Sequence, residues 1–119
     1  MSSITKQYLA DPKNINTNSN GFVLRNYILC NDGFIISVQA SKLHYCSPKE
    51  YLPDGNYDSV EIGRVYINNE DKNHFTSYLD DFTNYGYLSS DGSVIGFCPI
   101  ERVDEVIKLH GGIFKGGYR

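Results

Sequence analysis

The sequence predicts an α+β domain: an antiparallel sheet of about five strands with two helices, at about 69–82 and 99–110. Two hairpin signals carry the sheet. Asn31-Asp32-Gly33 and Ser90-Asp91-Gly92 each separate two short apolar runs, and Asp-Gly in that setting marks a turn because glycine takes positive φ without a Cβ penalty. The third observation is a bracketed helix. Pro99 suits its first position, Ile100, Val103, Val106, Ile107 and His110 recur on one side, and Gly111-Gly112 supplies a C-cap.

In chain order, residues 1–20 are polar and turn-rich and read as a flexible arm, with at most a short helical turn at Ile4–Ala10. Phe22–Cys30 is expected as a strand pairing antiparallel with Phe34–Ala40. Alternation there puts Phe34, Ile36, Val38 and Ala40 on one face and Ile35, Ser37, Gln39 and Ser41 on the other. A polar run, His44 to Lys49, leads to a turn at Pro53-Asp54-Gly55. Tyr57–Val65 reads as the third strand, with Val60 and Ile62 inward and Gly63 allowing a bend. Residues 69–82 form the first predicted helix, capped by Asn68 or Asn69, with Phe75, Tyr78, Leu79 and Phe82 as its apolar stripe. Tyr85–Leu88 and Ser93–Cys98 make the second hairpin, and Pro99 stops its ladder because it lacks an N–H. Ile113 and Phe114 fold back on the last helix. The expected organisation is an arm at 1–20, one domain over 21–114 and a tail over 115–119.

A chain of 119 residues is long enough for a core without metal or disulfide staples. Eleven basic against fourteen acidic residues give a net charge of -3, which disfavours long nucleic acid as a partner but leaves room for a small phosphorylated ligand. Ten tyrosines and six phenylalanines with no tryptophan supply many large, rigid rings with polar tips, a composition suited to pockets and interfaces. Cys30, Cys46 and Cys98 cannot all pair within one chain and do not resemble a secreted disulfide framework. With no apolar signal region and no stretch approaching a membrane span, the expected location is the cytoplasm.

Catalytic motifs are weak. His44 and Cys46 are spaced to face the same way on an extended backbone, and a Cys–His pair generates a thiolate, but no orienting acid is specified. Zinc would have to gather His44, Cys46, Cys98 and His110 without the close Cys/His pairs of a structural site. Asp80, Asp81, Glu101, Asp104 and Glu105 read as solvated helix surface, with Asp104 and Lys108 as an i,i+4 pair. No Walker, dinucleotide or H-E-x-x-H motif is present, so neither metal nor cofactor is expected. The richer constellation is noncatalytic: Gln39, Ser41, His44, Tyr45, Ser47, Lys49 and Arg64, with Arg25 and Arg102 from adjoining elements. It combines edge donors, an aromatic face and cations, as a nucleotide-like ligand requires. An exposed turn with its own local hydrogen bonds is the competing reading.

The combination NGFVL, NDGFIISVQASKLHYCSPKE, YDSVEIG and VIGFCPIERVDEVIKLHGGI resembles a group of small bacteriophage proteins, over about residues 20–113. Within that group the chain is similar to the phage Thoeris anti-defence protein 1 family. That resemblance implies a sponge: a homo-oligomer, dimeric or larger, that holds a cyclic ADP-ribose-type signal intact in the host cytoplasm. It assigns no contact residue by position; from the local constellation, Tyr45 or Phe82 would stack on adenine and Arg/Lys groups would hold the diphosphate. The resemblance implies no catalysis. Two other readings stand beside it: a protein-binding inhibitor of a host defence or transcription complex, and a small cysteine-dependent enzyme using Cys46.

Overall fold

A computed structural model describes residues 3–20, 22–67, 70–71, 80–90 and 92–115. The chain opens with helix α1 (Ile4–Ala10), a 3-10 turn (Pro12–Asn14) and strand β1 (Ile15–Ser19), followed by β2 (Phe22–Arg25) and β3 (Ile28–Leu29). It continues through β4 (Ile35–Gln39), β5 (Ser59–Gly63), β6 (Tyr66–Ile67), β7 (Glu70–Asp71) and α2 (Asp80–Thr83). Strands β8 (Tyr87–Leu88) and β9 (Val94–Pro99) and helix α3 (Ile100–Leu109) complete it. Among the described residues the main sheet has five antiparallel strands in the order β3-β4-β5-β9-β8. The α+β architecture read from the sequence is therefore the one observed.

The flexible arm expected at 1–20 is instead built into the domain from Ser3 onward. Ser3 caps α1 by accepting from the Lys6 N–H at 3.1 Å. Its own hydroxyl donates to Asp104 Oδ1 at 3.0 Å, as do the Thr5 N–H at 2.9 Å and the Thr5 hydroxyl at 2.6 Å. Asp104 lies on α3, so a carboxylate expected to be solvated surface is the anchor of the N-terminal helix. Thr5, Tyr8 and Leu9 are buried as a result. The Tyr8 hydroxyl reaches the carbonyl of Asn26 and lies 3.0 Å from that of Tyr27.

Phe22–Cys30, expected as one strand, is two. Only β3 pairs with β4, through Ile28–Ile36 and Leu29–Ile35; β2 pairs with β1. The separation has a specific cause. The Gln39 side chain occupies the place of a neighbouring strand: the Arg25 N–H donates to Gln39 Oε1 at 2.8 Å, and Gln39 Nε2 donates to the Arg25 carbonyl at 2.9 Å. One amide thus reproduces a ladder pair and holds β2 a side-chain length away from β4.

The predicted helix over 69–82 is corrected at its start, where Glu70–Asp71 pairs as a strand with Tyr66–Ile67. Its caps, Asn68 and Asn69, and Phe75, Tyr78 and Leu79 of its stripe lie outside the described residues. Asp80–Thr83 is helical, and Phe82 is fully buried. Helix α3 begins at Ile100, one residue later than expected, with Pro99 as its N-cap rather than its first residue. Its C-terminus follows the glycine signal: the Gly112 N–H donates to Ile107 and the Gly111 N–H to Lys108, with both glycines at positive φ, a Schellman cap.

The Asn31-Asp32-Gly33 turn docks on that cap. Asn31 donates from its backbone to Gly112 at 2.9 Å and from its side chain to Gly111 at 2.6 Å. His110 stacks on Phe34 at 3.9 Å with the rings 3° from parallel, and its Nδ1 lies 2.6 Å from Asp32 Oδ2. Ile113 then pairs with Cys30, and the Phe114 N–H donates to Leu29, so the residues after α3 run beside the edge strand β3. Between sheet and helix lie Ile36, Val38, Val60, Ile62 and Ile95 with Val103, Val106 and Ile107, all at 0 % exposure. Burial of this aliphatic set stabilises the layer by roughly 1.5–3 kcal/mol per side chain before entropy is counted. Among the described residues no helix is long and apolar enough to cross a membrane.

Asp104→Ala removes the acceptor of three donors and is expected to destabilise the fold by about 1–3 kcal/mol. Amide exchange checks it: protection in Ile4–Ala10 should fall before that of β4 or β5. Unchanged protection in α1 would show that apolar contacts alone hold it.

Candidate functional site

The outer face of the sheet is shaped by one extra residue. Val60 pairs with Cys98 and Ile62 with Ile95, so the single residue Glu61 on β5 faces both Gly96 and Phe97 on β9. This is a β-bulge, a device that re-aims a side chain. Phe97 takes φ 55°, a left-handed conformation that costs an L-residue roughly 1–2 kcal/mol. Its ring is turned outward and is 38 % exposed.

The segment after Ser41 lies against this bulge. The Phe97 N–H donates to the Tyr45 carbonyl at 2.9 Å, and the Tyr45 N–H donates to Glu61 Oε2 at 2.9 Å. Gly96 is required beneath it, because a Cβ there would sit 2.7 Å from the Tyr45 Cβ. Three rings result. Tyr45 and Phe97 have centroids 6.2 Å apart, and Tyr87 meets Phe97 edge-on at 6.2 Å. Lys49 Nζ lies 4.9 Å from the Tyr45 centroid. With Leu88 and Val94 the three rings line a shallow concavity of about 300 Å³. Tyr45 is 50 % exposed and Tyr87 77 %, a concentration of accessible aromatic surface beside a cation.

The residues singled out from the sequence divide between this shelf and the interior. Tyr45 and Lys49 belong to the shelf. Gln39 is buried and committed to Arg25, and its Nε2 also lies 3.0 Å from the Ser37 hydroxyl. Ser41 is fully buried with its hydroxyl 2.7 Å from His44 Nδ1, and His44 stacks on Phe22 at 5.2 Å. Ser47 is half-buried; its N–H donates to Ser59, its carbonyl accepts from the Asp58 N–H, and a cis bond joins it to Pro48. Arg64 lies half-buried in a separate groove with Ser37.

Three assignments are corrected. Phe82 has no exposed surface and belongs to the core, so it offers no stacking face. Arg102 donates from Nε to the Asp81 carbonyl at 2.8 Å and lies 4.4 Å from the Tyr85 centroid, which commits it to holding α2 on α3. Arg25 is 4 % exposed, with Nε donating to the Leu9 carbonyl at 3.0 Å and Nη1 to that of Ala40 at 2.6 Å. Its guanidinium is a strut between α1 and the end of β4. Burial lowers its pKa from the ordinary arginine value, against the opposing influence of Tyr57.

Local sequence hides the shelf because Tyr45, Tyr87 and Phe97 come from three separate segments. The available signal was Gly96 inside a strand pattern, which marks a bulge or a close approach of another segment. Simple alternation over Ser93–Cys98 passes over it.

The Cys46–His44 pair is not arranged as a dyad. Cys46 is 1 % exposed, and its thiol lies 3.3 Å from the Ser41 carbonyl and 3.4 Å from that of Pro48. Burial pushes the Cys46 thiol up, and pushes Cys30 and Cys98 up to about 12, the reverse of an activated nucleophile. Among the described residues no group of three or more His, Cys, Asp or Glu is placed to hold a metal. No protein-family model, curated protein or solved structure matches the chain.

His44 gives this region a pH signature. Burial, then the charges of Arg25 and Lys49, push its pKa from 6.5 down to about 4. The folded state therefore holds the neutral ring, so the unfolded chain binds the proton first as the pH falls. Stability from His44 is complete above about pH 6.5 and is lost as the pH falls toward about 4. Denaturant unfolding of wild type and His44→Gln across that window should show the smaller loss in the variant; equal losses would assign the acid sensitivity to other groups.

Proposed function

We propose that this protein binds a nucleotide-type signal at the Tyr45–Phe97–Tyr87 shelf and holds it without cleaving it. The observation that carries the proposal is the bulge, which holds a phenylalanine in a costly backbone conformation and turns its ring partly to solvent. Strain of that kind collects at binding sites, where the surrounding structure, here the Tyr45 and Glu61 hydrogen bonds, holds it in place. The shelf supplies ring faces for a base, and Lys49 supplies a cation for an anionic group. Buried, protonated thiols favour retention over nucleophilic attack. The resemblance to the Thoeris anti-defence proteins supports a cyclic ADP-ribose-type molecule as the ligand and sequestration during phage infection as the role, in a homo-oligomer in the host cytoplasm.

Glyco-cyclic ADP-ribose incubated with the protein should co-elute with it and be returned chemically unchanged on denaturation. Tyr45→Ala and Phe97→Ala should each weaken retention about tenfold, the size of a lost base–aromatic stack. Cys46→Ala should retain the ligand fully; a variant that binds but no longer converts a ligand turned over by wild type would instead establish an enzyme.

One observation favours a second reading, a protein-binding inhibitor. Tyr87 and Leu88, 77 % and 49 % exposed, lie on β8 at the edge of the sheet, where a partner strand or side chains can pack. Native mass spectrometry after exposure to host lysate separates the two: the nucleotide reading gives a small-molecule mass increment, and the inhibitor reading gives a protein complex with none.

A further inference from the structure

The residue that faces the bulge is a carboxylate with only one of its oxygens in use. Glu61 stands between Val60 and Ile62, both at 0 % exposure, so alternation puts its half-buried side chain on the outer face of the sheet. Register sets it opposite Gly96 and Phe97, which line the aromatic concavity, and opposite Gln39 on its other side. Its Oε2 accepts the Tyr45 N–H at 2.9 Å, which fixes the carboxylate at the root of a shelf ring.

The second oxygen, Oε1, accepts nothing from the described residues. The Gln39 amide is committed to Arg25 and Ser37, and no lysine or arginine among the described residues forms an ion pair with Glu61. Among those residues Arg25 Nη2 is the one buried side-chain polar atom without a partner. Oε1 is therefore not a buried atom: it reaches solvent, beside the rings.

A carboxylate oxygen only accepts, so next to a ring face it distinguishes the edges of a stacked base. An exocyclic amine donates to it in a charge-assisted hydrogen bond. A carbonyl in the same place sets two acceptors against each other, and a bare edge displaces water without replacing its hydrogen bond. Sites built around such a bond reject analogues lacking the donor far more strongly than apolar sites do.

We infer that Glu61 is the base-reading residue of the shelf, with Oε1 accepting from the exocyclic amine of a base stacked on Tyr45 and Phe97. This deepens the nucleotide reading and rests on it. Rings alone take any base. Glu61 restricts the ligand to one carrying an amine on the edge turned toward β5. The carboxylate then serves twice, one oxygen holding Tyr45 and the other selecting what lies on it.

The test titrates the full chain with adenosine, with purine riboside, which lacks the amine, and with inosine, which has a carbonyl in its place. Amide NMR at Tyr87 and Phe97 reads each affinity. Wild type should bind adenosine about tenfold or more tighter than purine riboside, with inosine weakest. Glu61→Gln keeps a carbonyl oxygen for the Tyr45 N–H and offers an NH₂ in place of Oε1. It should therefore lose the preference for adenosine and gain one for inosine, a reversal that a merely structural role would not produce. Equal weakening of all three ligands in the variant overturns the inference. If the variant fails to fold, the wild-type series decides: adenosine no tighter than purine riboside also overturns it. In either case shifts at the shelf leave the nucleotide reading standing, whereas the absence of shelf shifts with every ligand overturns both.

Discussion

Glu61 faces two residues instead of one, and much of the outer surface follows from that mismatch. The extra residue in β9 places Phe97 at φ 55° and turns its ring away from the core. It also exposes a backbone N–H that a regular ladder would have used. Tyr45 accepts from that N–H, while Glu61 accepts from the Tyr45 N–H on the other side. The polar segment after β4 is thereby fastened to β9, with Gly96 beneath the tyrosine because no Cβ fits there. A regular strand would bring no such donor to Tyr45, and the three rings would have no reason to meet.

Beneath the same segment the chemistry has the opposite character. Ser41, His44 and Cys46 are buried and spend their polar atoms on each other and on nearby carbonyls. Arg25 ties the end of α1 to the end of β4, and Gln39 imitates a strand to hold β2 in place. Groups that look like an active site in the sequence are here the fixed support for an exposed surface. Polar burial of this kind stabilises only when partners are supplied, and a change to one member costs more than its own hydrogen bond. The arrangement accounts for how Tyr45, on a segment with no regular secondary structure, is held against Phe97 of β9.

What was legible in the sequence was local. The Asp-Gly signals, the glycine-terminated helix and the alternation of β4 are each encoded within a few residues; the β3–β4 and β8–β9 pairings and α3 follow them, with Asp91 itself outside the described residues. The N-terminal helix was underestimated because its decisive partner, Asp104, is 99 residues from Thr5 and looks like any surface acid on a helix. The break between β2 and β3 was hidden for a related reason: a glutamine side chain does the work of backbone. Phe82 is fully buried, as its place in an apolar stripe predicts and as an adenine-stacking role does not. Of the candidate site, Tyr45 and Lys49 were readable from composition and position. Phe97 and Tyr87 were not, since a bulge depends on the register between two strands rather than on either one.

On the proposed nucleotide-binding reading, Phe97 is kept at a cost to the fold for the sake of a ligand. Glycine adopts its backbone conformation without strain, while deletion of the ring loses part of a buried aromatic surface; the two effects oppose each other at about 1–2 kcal/mol each. Paired measurements on Phe97→Gly, of unfolding free energy and of nucleotide affinity, therefore separate support from recognition. The expected result is a stability within about 1 kcal/mol of wild type with affinity reduced at least tenfold. Undiminished affinity in a protein destabilised by several kcal/mol would contradict it, and would make Phe97 a packing residue.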